Sequence, residues 1–266
     1  MTHYNTVLSQ IVHLIKRHEI ETLARHHHSG QKLRSYNRWS QWSQFIAMTV
    51  VQLSSRKSLH DLVDNLSTQS HKLYHLGLRK TSRATLARVN EKQPHSLYEA
   101  LFQKLLIRCQ SLSPGHRFKL KTKIYLLDAT TIDLCLSLFP WAKFRKTKCA
   151  VKLHVGLDID GYLPTFINAT DGKTHEINWA KTLKLPKGSF AVFDIGFIDY
   201  TWYQTLTRGG IFFVTRLKNN ADIICCHKRR GRKSKGILID RQIRLNGISE
   251  KLRLVHYLDP ETNIEC

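Results

Sequence analysis

A helical N-terminal domain, a mixed α/β core and a partial β-rich region are predicted by three features of the 266-residue sequence. Apolar residues recur at helical spacing through roughly the first 110 positions. Two short, continuous apolar runs each stop at an aspartate, the pattern of strands covered on both faces. An alternating run then meets Asp160-Gly161, a two-residue hairpin signal. The boundaries that follow are 1–112, 118–220 and 221–266, with the pattern breaking at Ser-Leu-Ser-Pro-Gly between Ser111 and Gly115.

In the first domain, Val7, Leu8, Ile11, Val12, Leu14 and Ile15 form one apolar stripe. Trp42, Phe45, Ile46, Thr49, Val50 and Leu53 form another behind Ser40, whose hydroxyl suits an N-cap. Leu59, Leu62, Val63 and Leu66 after Ser58 predict a third helix, and a fourth starts near Ser82. That fourth helix sets Leu86 and Val89 inward and Thr85, Arg88 and Lys92 outward, so Leu59 to Lys92 reads as a helix-turn-helix-like unit. Pro94 opens a fifth helix whose inner face is Leu97, Leu101, Phe102, Leu105 and Leu106.

In the core, Ile124 to Leu127 is a buried strand stopping at Asp128. Leu153, Val155, Leu157 and Ile159 alternate with polar or small residues up to the hairpin turn, after which Tyr162 to Ile167 returns. Phe190 to Phe193 is a second buried strand, stopping at Asp194; Tyr200 to Leu206 reads as a helix and Ile211 to Val214 as another buried strand. From Ala221 a basic loop leads into strand-like pieces.

Lys and Arg number 42 against 20 Asp and Glu, a formal charge of +22, while 42% hydrophobic residues exclude a wholly disordered chain. The stretches 1–120, 121–220 and 221–266 carry +12, +6 and +4. A polyanion touching the whole length is the simplest partner, because each cation near a phosphate releases counterions. No run approaches about 18 apolar residues and no secretory leader is visible, so a cytoplasmic protein without a membrane partner is expected. The six cysteines include no C-x-x-C pair, which argues against thiolate metal sites and a disulfide framework.

The two aspartates at strand ends are the most informative feature. If the strands are neighbours, Asp128 and Asp194 bring two carboxylates together, and a divalent cation removes their repulsion. Oxygen-only donors suit Mg²⁺ or Mn²⁺. Such ions activate a water or hydroxyl nucleophile and stabilise the leaving oxygen of a phosphodiester. Aspartates at strand ends also make turns and cap helices. Asp158 and Asp160 are the rival pair.

The segments IYLLDATTIDLCLSLFPWAKFRKTKCAVKLHVGLDIDGYLP, FAVFDIGFIDYTWYQTL and GIFFVTRLKNNA resemble the catalytic core of DDE transposases of the insertion-sequence-four family. SGQKLRSYNRWSQWSQFIAMTVVQLSSRKSLHDLVDNLS is similar to the N-terminal domain of one branch of it. The resemblance implies an RNase H-like core, Asp128 and Asp194 as the first two metal-binding acids, and a DNA transposition reaction. Its partners would be the element's terminal inverted repeats and target DNA. It also implies a homo-oligomer in the full-length form and a nucleoid-associated place in the cytoplasm. Ile195 and Phe197 stand where the family's second motif usually has Arg and Tyr. The family's third acid is a glutamate in a tyrosine, arginine, glutamate, lysine motif after a β-rich insertion. Glu250, Glu261 and Glu265 lack that motif, so a truncated transposase is expected, inactive alone. The alternative is a non-catalytic DNA-binding fragment that inhibits the full-length enzyme.

For DNA contact the sequence nominates Arg83, Arg88 and Lys92 on the fourth helix, and Lys143, Arg145, Lys146 and Lys148, clustered with Lys152, in a loop after the second strand. Arg229, Arg230 and Arg232 in the basic loop complete the set. The cations of both loops could equally be solvated. His26 to His28 resembles a metal tract but reads better as a phosphate-facing or solvated loop. His154 reads as a polar neighbour of the acids, and His175-Glu176 as the start of a helix or as support for the acids, with Glu176 the first glutamate to test as a completing acid.

Overall fold

The computed structural model describes residues 6–27, 39–55, 58–78, 80–115, 122–134, 143–145, 148–218, 220–229, 236–259, 261–262 and 265. Two compact units result, Met1–Arg108 and Cys109–Cys266.

The first unit is helical. Its elements are α1 (Val7–His13), α2 (Arg17–His27), α3 (Gln41–Leu53), α4 (Leu59–Thr68), α5 (Ser70–Leu73), a 3-10 turn (Tyr74–Leu76), α6 (Arg83–Lys92) and α7 (His95–Leu112). Side-chain hydroxyls of Thr6, Ser40, Ser58 and Ser82 accept from backbone N–H groups in the first turns of α1, α3, α4 and α6. Each cap satisfies a donor that the helix leaves open. The core is Ile20, Trp42, Ile46, Leu62, Leu66, Leu86 and Leu101 with their neighbours.

Three details depart from the sequence reading. The first apolar stripe breaks at Leu14, and the chain turns into α2. Leu14 is consequently exposed. Between α4 and α6 the chain inserts α5 and the 3-10 turn, so their connection is much longer than the short turn of a helix-turn-helix pair.

The second unit is built on a sheet of six strands: β1 (Ile124–Leu134), β2 (Lys143–Arg145), β3 (Lys148–Asp158), β4 (Leu163–Asp171), β5 (Phe190–Phe193) and β6 (Phe212–Thr215). The order is β2-β3-β1-β5-β6, with β4 also on β3. β1 pairs antiparallel with β3 and parallel with β5, and β5 parallel with β6, which makes the sheet mixed. Helices α8 (Glu176–Ala180) and α9 (Tyr200–Arg208) pack on the face that carries Tyr125, Leu127 and Phe193. A separate antiparallel sheet follows, β7 (Ile223–Arg229), β8 (Ile237–Leu245) and β9 (Leu252–Tyr257). No helix among the described residues is long and apolar enough to cross a membrane.

Here too the structure corrects the sequence reading. β1 does not stop at Asp128; it continues to Leu134 along β3, because the antiparallel partner carries on where the parallel one ends. Ile211 to Val214 is not a strand buried on both faces. Phe212 and Val214 are 56% and 54% exposed. They lie in register with Phe190 and Val192 on the sheet face away from α8 and α9. On β3 the expected polarity is inverted: His154, Gly156 and Asp158 are buried, while Leu153, Val155 and Leu157 are only partly covered. Gly156 has no space for a Cβ, since Phe166 and Leu127 close over it.

Candidate active site

The last register pair of the parallel β1/β5 ladder is Leu127↔Phe193. The next residue on each strand is Asp128 and Asp194, so both directly follow the end of the parallel ladder, Asp128 within β1 and Asp194 just past β5, on neighbouring backbones that run about 4.8 Å apart. Both residues are exposed. Asp128 is held in its frame on its other side as well, opposite Val155 of β3.

Asp194 leaves its strand into a 3-10 turn, Ile195–Phe197, which it caps. Its Oδ1 accepts the Gly196 N–H at 2.9 Å, and its carbonyl accepts the Thr215 hydroxyl at 3.3 Å. Phe197, fully buried among Phe193, Trp202 and Tyr203, anchors the turn. Aromatic burial of this size fixes where the strand must end, and with it where Asp194 stands.

The side chain of Glu176, the first residue of α8, reaches the same turn: its Oε2 occupies the space that a Cβ on Gly196 would need. Lys152 of β3 holds the other oxygen, Oε1, at 3.2 Å. The sequence offers Glu176 as helix-start chemistry or as a supporting side chain near the acids, without this contact. The link to Asp194 runs through a glycine that leaves no side-chain signal.

His154 lies opposite Ala129, one position along β3 from the partner of Asp128. It is fully buried, stacked on Trp179 at 5.1 Å, with Nε2 on the Thr170 hydroxyl at 2.9 Å. Burial first, and then the charge of Lys152, push its pKa down, against the opposing pull of Glu176. It is a packed, neutral ring beside the acids.

The rival pair is engaged elsewhere. Lys123 binds both Asp158, at 2.9 Å, and Asp160, while Asp158 Oδ1 accepts the Asp160 N–H. Asp158 pairs with Tyr125, three residues before Asp128 on β1. Among the described residues no group of three or more His, Cys, Asp or Glu side chains is arranged to hold a metal ion.

Of the nominated DNA contacts, Arg83, Arg88 and Lys92 are exposed on α6, whose Leu86 is fully buried. Lys143 and Arg145 lie on β2 and Lys148 on β3, in an antiparallel pairing in place of the expected loop. Arg229 ends β7. Lys146, Arg230 and Arg232 lie outside the described residues, as does His28. His26 and His27 belong to α2, with His27 on the Ser96 hydroxyl at 2.9 Å. Glu250 faces Arg208 at 3.9 Å and Glu265 faces His256 at 3.2 Å.

Residues 119–257 match the family model described as Transposase DDE domain, and residues 3–79 match one described as Domain of unknown function (DUF4372). The chain is 27% identical over 164 residues to "Putative transposase y4zB" of Sinorhizobium fredii (strain NBRC 101917 / NGR234), covering 60% of this chain and 45% of that protein. It is 20% identical over 147 residues to "Probable transposase for insertion sequence element IS5377" of Geobacillus stearothermophilus, covering 55% and 38%. The matched stretches thus span less than half the length of these relatives.

Proposed function

The chain belongs to the Transposase DDE domain family of nucleic-acid-cutting enzymes, and from that premise we propose that it serves DNA transposition, with Asp128 and Asp194 as paired acids of the active site. The observation that carries the reading is their position, one step beyond the last pair of the parallel β1/β5 ladder. Crevices at the carboxyl ends of parallel strands are where open α/β sheets work.

Two exposed carboxylates at one edge fit a hard divalent cation, Mg²⁺ or Mn²⁺. When bound, the ion would supply an activated oxygen nucleophile and a stabilised leaving oxygen for phosphodiester cleavage and joining. The chain's own part is positional. The two strands fix the carboxylates, the Gly196 N–H fixes Oδ1 of Asp194 and leaves Oδ2 for the ion, and Lys152 neutralises Glu176 beside them.

The finer reading is an insertion-sequence-four transposase with an RNase H-like core. It binds double-stranded element ends and target DNA, acts near the nucleoid, and is a homo-oligomer in its full-length form. On this reading neither Glu250 nor Glu265, which face Arg208 and His256, serves as the third acid. The second reading is a DNA-binding chain that occupies ends without cutting them. It is favoured by Lys152, which engages the carboxylate that α8 brings to the Asp194 turn.

The test is Mn²⁺ titration of the chain and of Asp128→Ala and Asp194→Ala, with cleavage assays on intact and pre-nicked end substrates. The reading expects Mn²⁺ binding that drops at least about tenfold in either variant, roughly 1.4 kcal/mol, and no cleavage by the chain alone. Mn²⁺ binding equal in all three would sink the acid pair. Cleavage lost in both variants would show a complete site within the chain, with Glu176 the first carboxylate to examine.

A further inference from the structure

In the N-terminal unit, a cavity of about 740 Å³ opens between the α1–α2 turn, the start of α3 and the Tyr74–Leu76 turn. Two hydrogen bonds hold its walls together, from Trp42 Nε1 to the Leu76 carbonyl at 2.7 Å and from the Ser43 hydroxyl to the Gly77 carbonyl at 3.0 Å. Gly77 turns the chain at φ +80, a conformation that side chains resist, and packs against the Trp42 ring. The cavity is therefore a built feature of the fold, cross-braced between α3 and the 3-10 turn.

Its chemistry is one-sided. His13, Lys16, Arg17 and His75 are all among its lining, and no Asp or Glu is. Arg17 is partly committed to Glu21 at 2.7 Å, whereas Lys16 has no ion-pair partner among the described residues. Trp42, Ile15 and Leu78 supply apolar wall, and Tyr74, 71% exposed, lies at the cavity with its ring edge-on to His75. A lysine without an ion-pair partner suits a phosphate, and an exposed aromatic beside apolar wall suits the flat face of a base. The volume lies in the range of sites for organic ligands and far exceeds what one small anion fills.

We propose that this cavity binds a nucleotide of a DNA strand, taking its phosphate on Lys16 and the neighbouring histidines and its base against Tyr74. The proposal rests on the reading that this chain works on DNA. It goes beyond that reading by assigning a DNA contact separate from α6 to the stretch matched as Domain of unknown function, since every lining residue falls within residues 3–79. The overall charge of +22 favours a strand over a free nucleotide, because neighbouring phosphates find cations too.

The experiment uses the full chain and fluorescein-labelled single-stranded and duplex oligonucleotides, with anisotropy titrations at several KCl concentrations. Lys16→Ala should weaken binding about fivefold and make the salt slope shallower by about 0.7 to 0.9, the signature of one lost phosphate. Tyr74→Ala should weaken single-strand binding at least about fivefold with the slope unchanged, and Tyr74→Phe should restore it. Both positions are exposed, and unchanged thermal unfolding confirms that the variants fold. If the parent binds and both alanine variants match it within twofold, the cavity assignment is overturned while the DNA reading stands. A parent that binds no DNA removes the DNA reading itself. A millimolar deoxymononucleotide should displace the strand from the parent but not from Lys16→Ala, and a strand that the mononucleotide leaves in place on the parent would overturn the cavity assignment.

Discussion

The Glu176 carboxylate fills the place beside Gly196 where a side chain would begin. The turn carrying Asp194 therefore depends on a glycine for space, since Gly196 does not have the left-handed backbone that otherwise selects this residue. Gly196→Ala should cost about 1 to 3 kcal/mol of stability by overpacking and should weaken Mn²⁺ binding by displacing Asp194. Adding Glu176→Ala should recover most of the stability. Urea unfolding of the single and double variants checks this, and strictly additive losses would refute the contact.

His154 should make the second unit sensitive to acid. Its pKa is lowered in the fold, chiefly by burial, so the neutral ring is the form that fits. The stabilisation is complete above the unfolded value of about 6.5 and is lost as pH falls below it toward the folded value. Unfolding free energy should decline as pH falls below about 6.5, and His154→Leu should flatten that limb. An unchanged profile in the variant would place the acid sensitivity elsewhere.

Lys123 ties down the buried Asp158, whose side chain is 3% exposed, and Asp160 beside it. Lys123→Met strands that carboxylate. Because the lysine itself is half exposed, about 1 to 3 kcal/mol is expected, less than for a fully buried pair. The lesion lies beside Tyr125, three residues before Asp128 on β1, and leaves the pairing of Asp128 with Val155 in place, so Mn²⁺ binding at Asp128 should persist. Parallel loss of stability and of metal affinity would contradict that separation.

On α6, Arg88 is exposed on a helix whose Leu86 is fully buried. Arg88→Ala should weaken duplex binding and reduce the salt slope by about 0.9 if it contacts one phosphate. Loss confined to the element's end sequence would instead mark a base contact. An unchanged isotherm would remove α6 from the interface.

Legibility in the sequence followed locality. The serine caps of α3, α4 and α6 were readable because cap and helix are neighbours in the chain. So was the end of β5, where a run of apolar residues meets an aspartate. The length of β1 was hidden, because residues beyond Asp128 pair only with β3, and nothing in their own alternation announces that partner. The burial of His154 and Asp158 was hidden for the same reason: each has its partner, Trp179 or Lys123, well away in the chain. Of the site, the two aspartates were visible and the Glu176–Gly196 contact was not, since a missing Cβ carries no chemical signature. The cavity at Lys16 and Tyr74 draws on three separated segments and leaves no motif at all.

The parallel β1/β5 ladder also orders events in time. The N-terminal unit's residues are all synthesised before the sheet begins, and helices rich in near-neighbour contacts fold fast. Asp128 emerges next, and β3 and β4 can pair beside it as a local meander. The acid pair forms only when β5, made later, slots in along the remaining edge of β1, the slowest kind of contact to close. A nascent chain halted before Asp194 would thus present folded, positively charged helices before the two aspartates can come together.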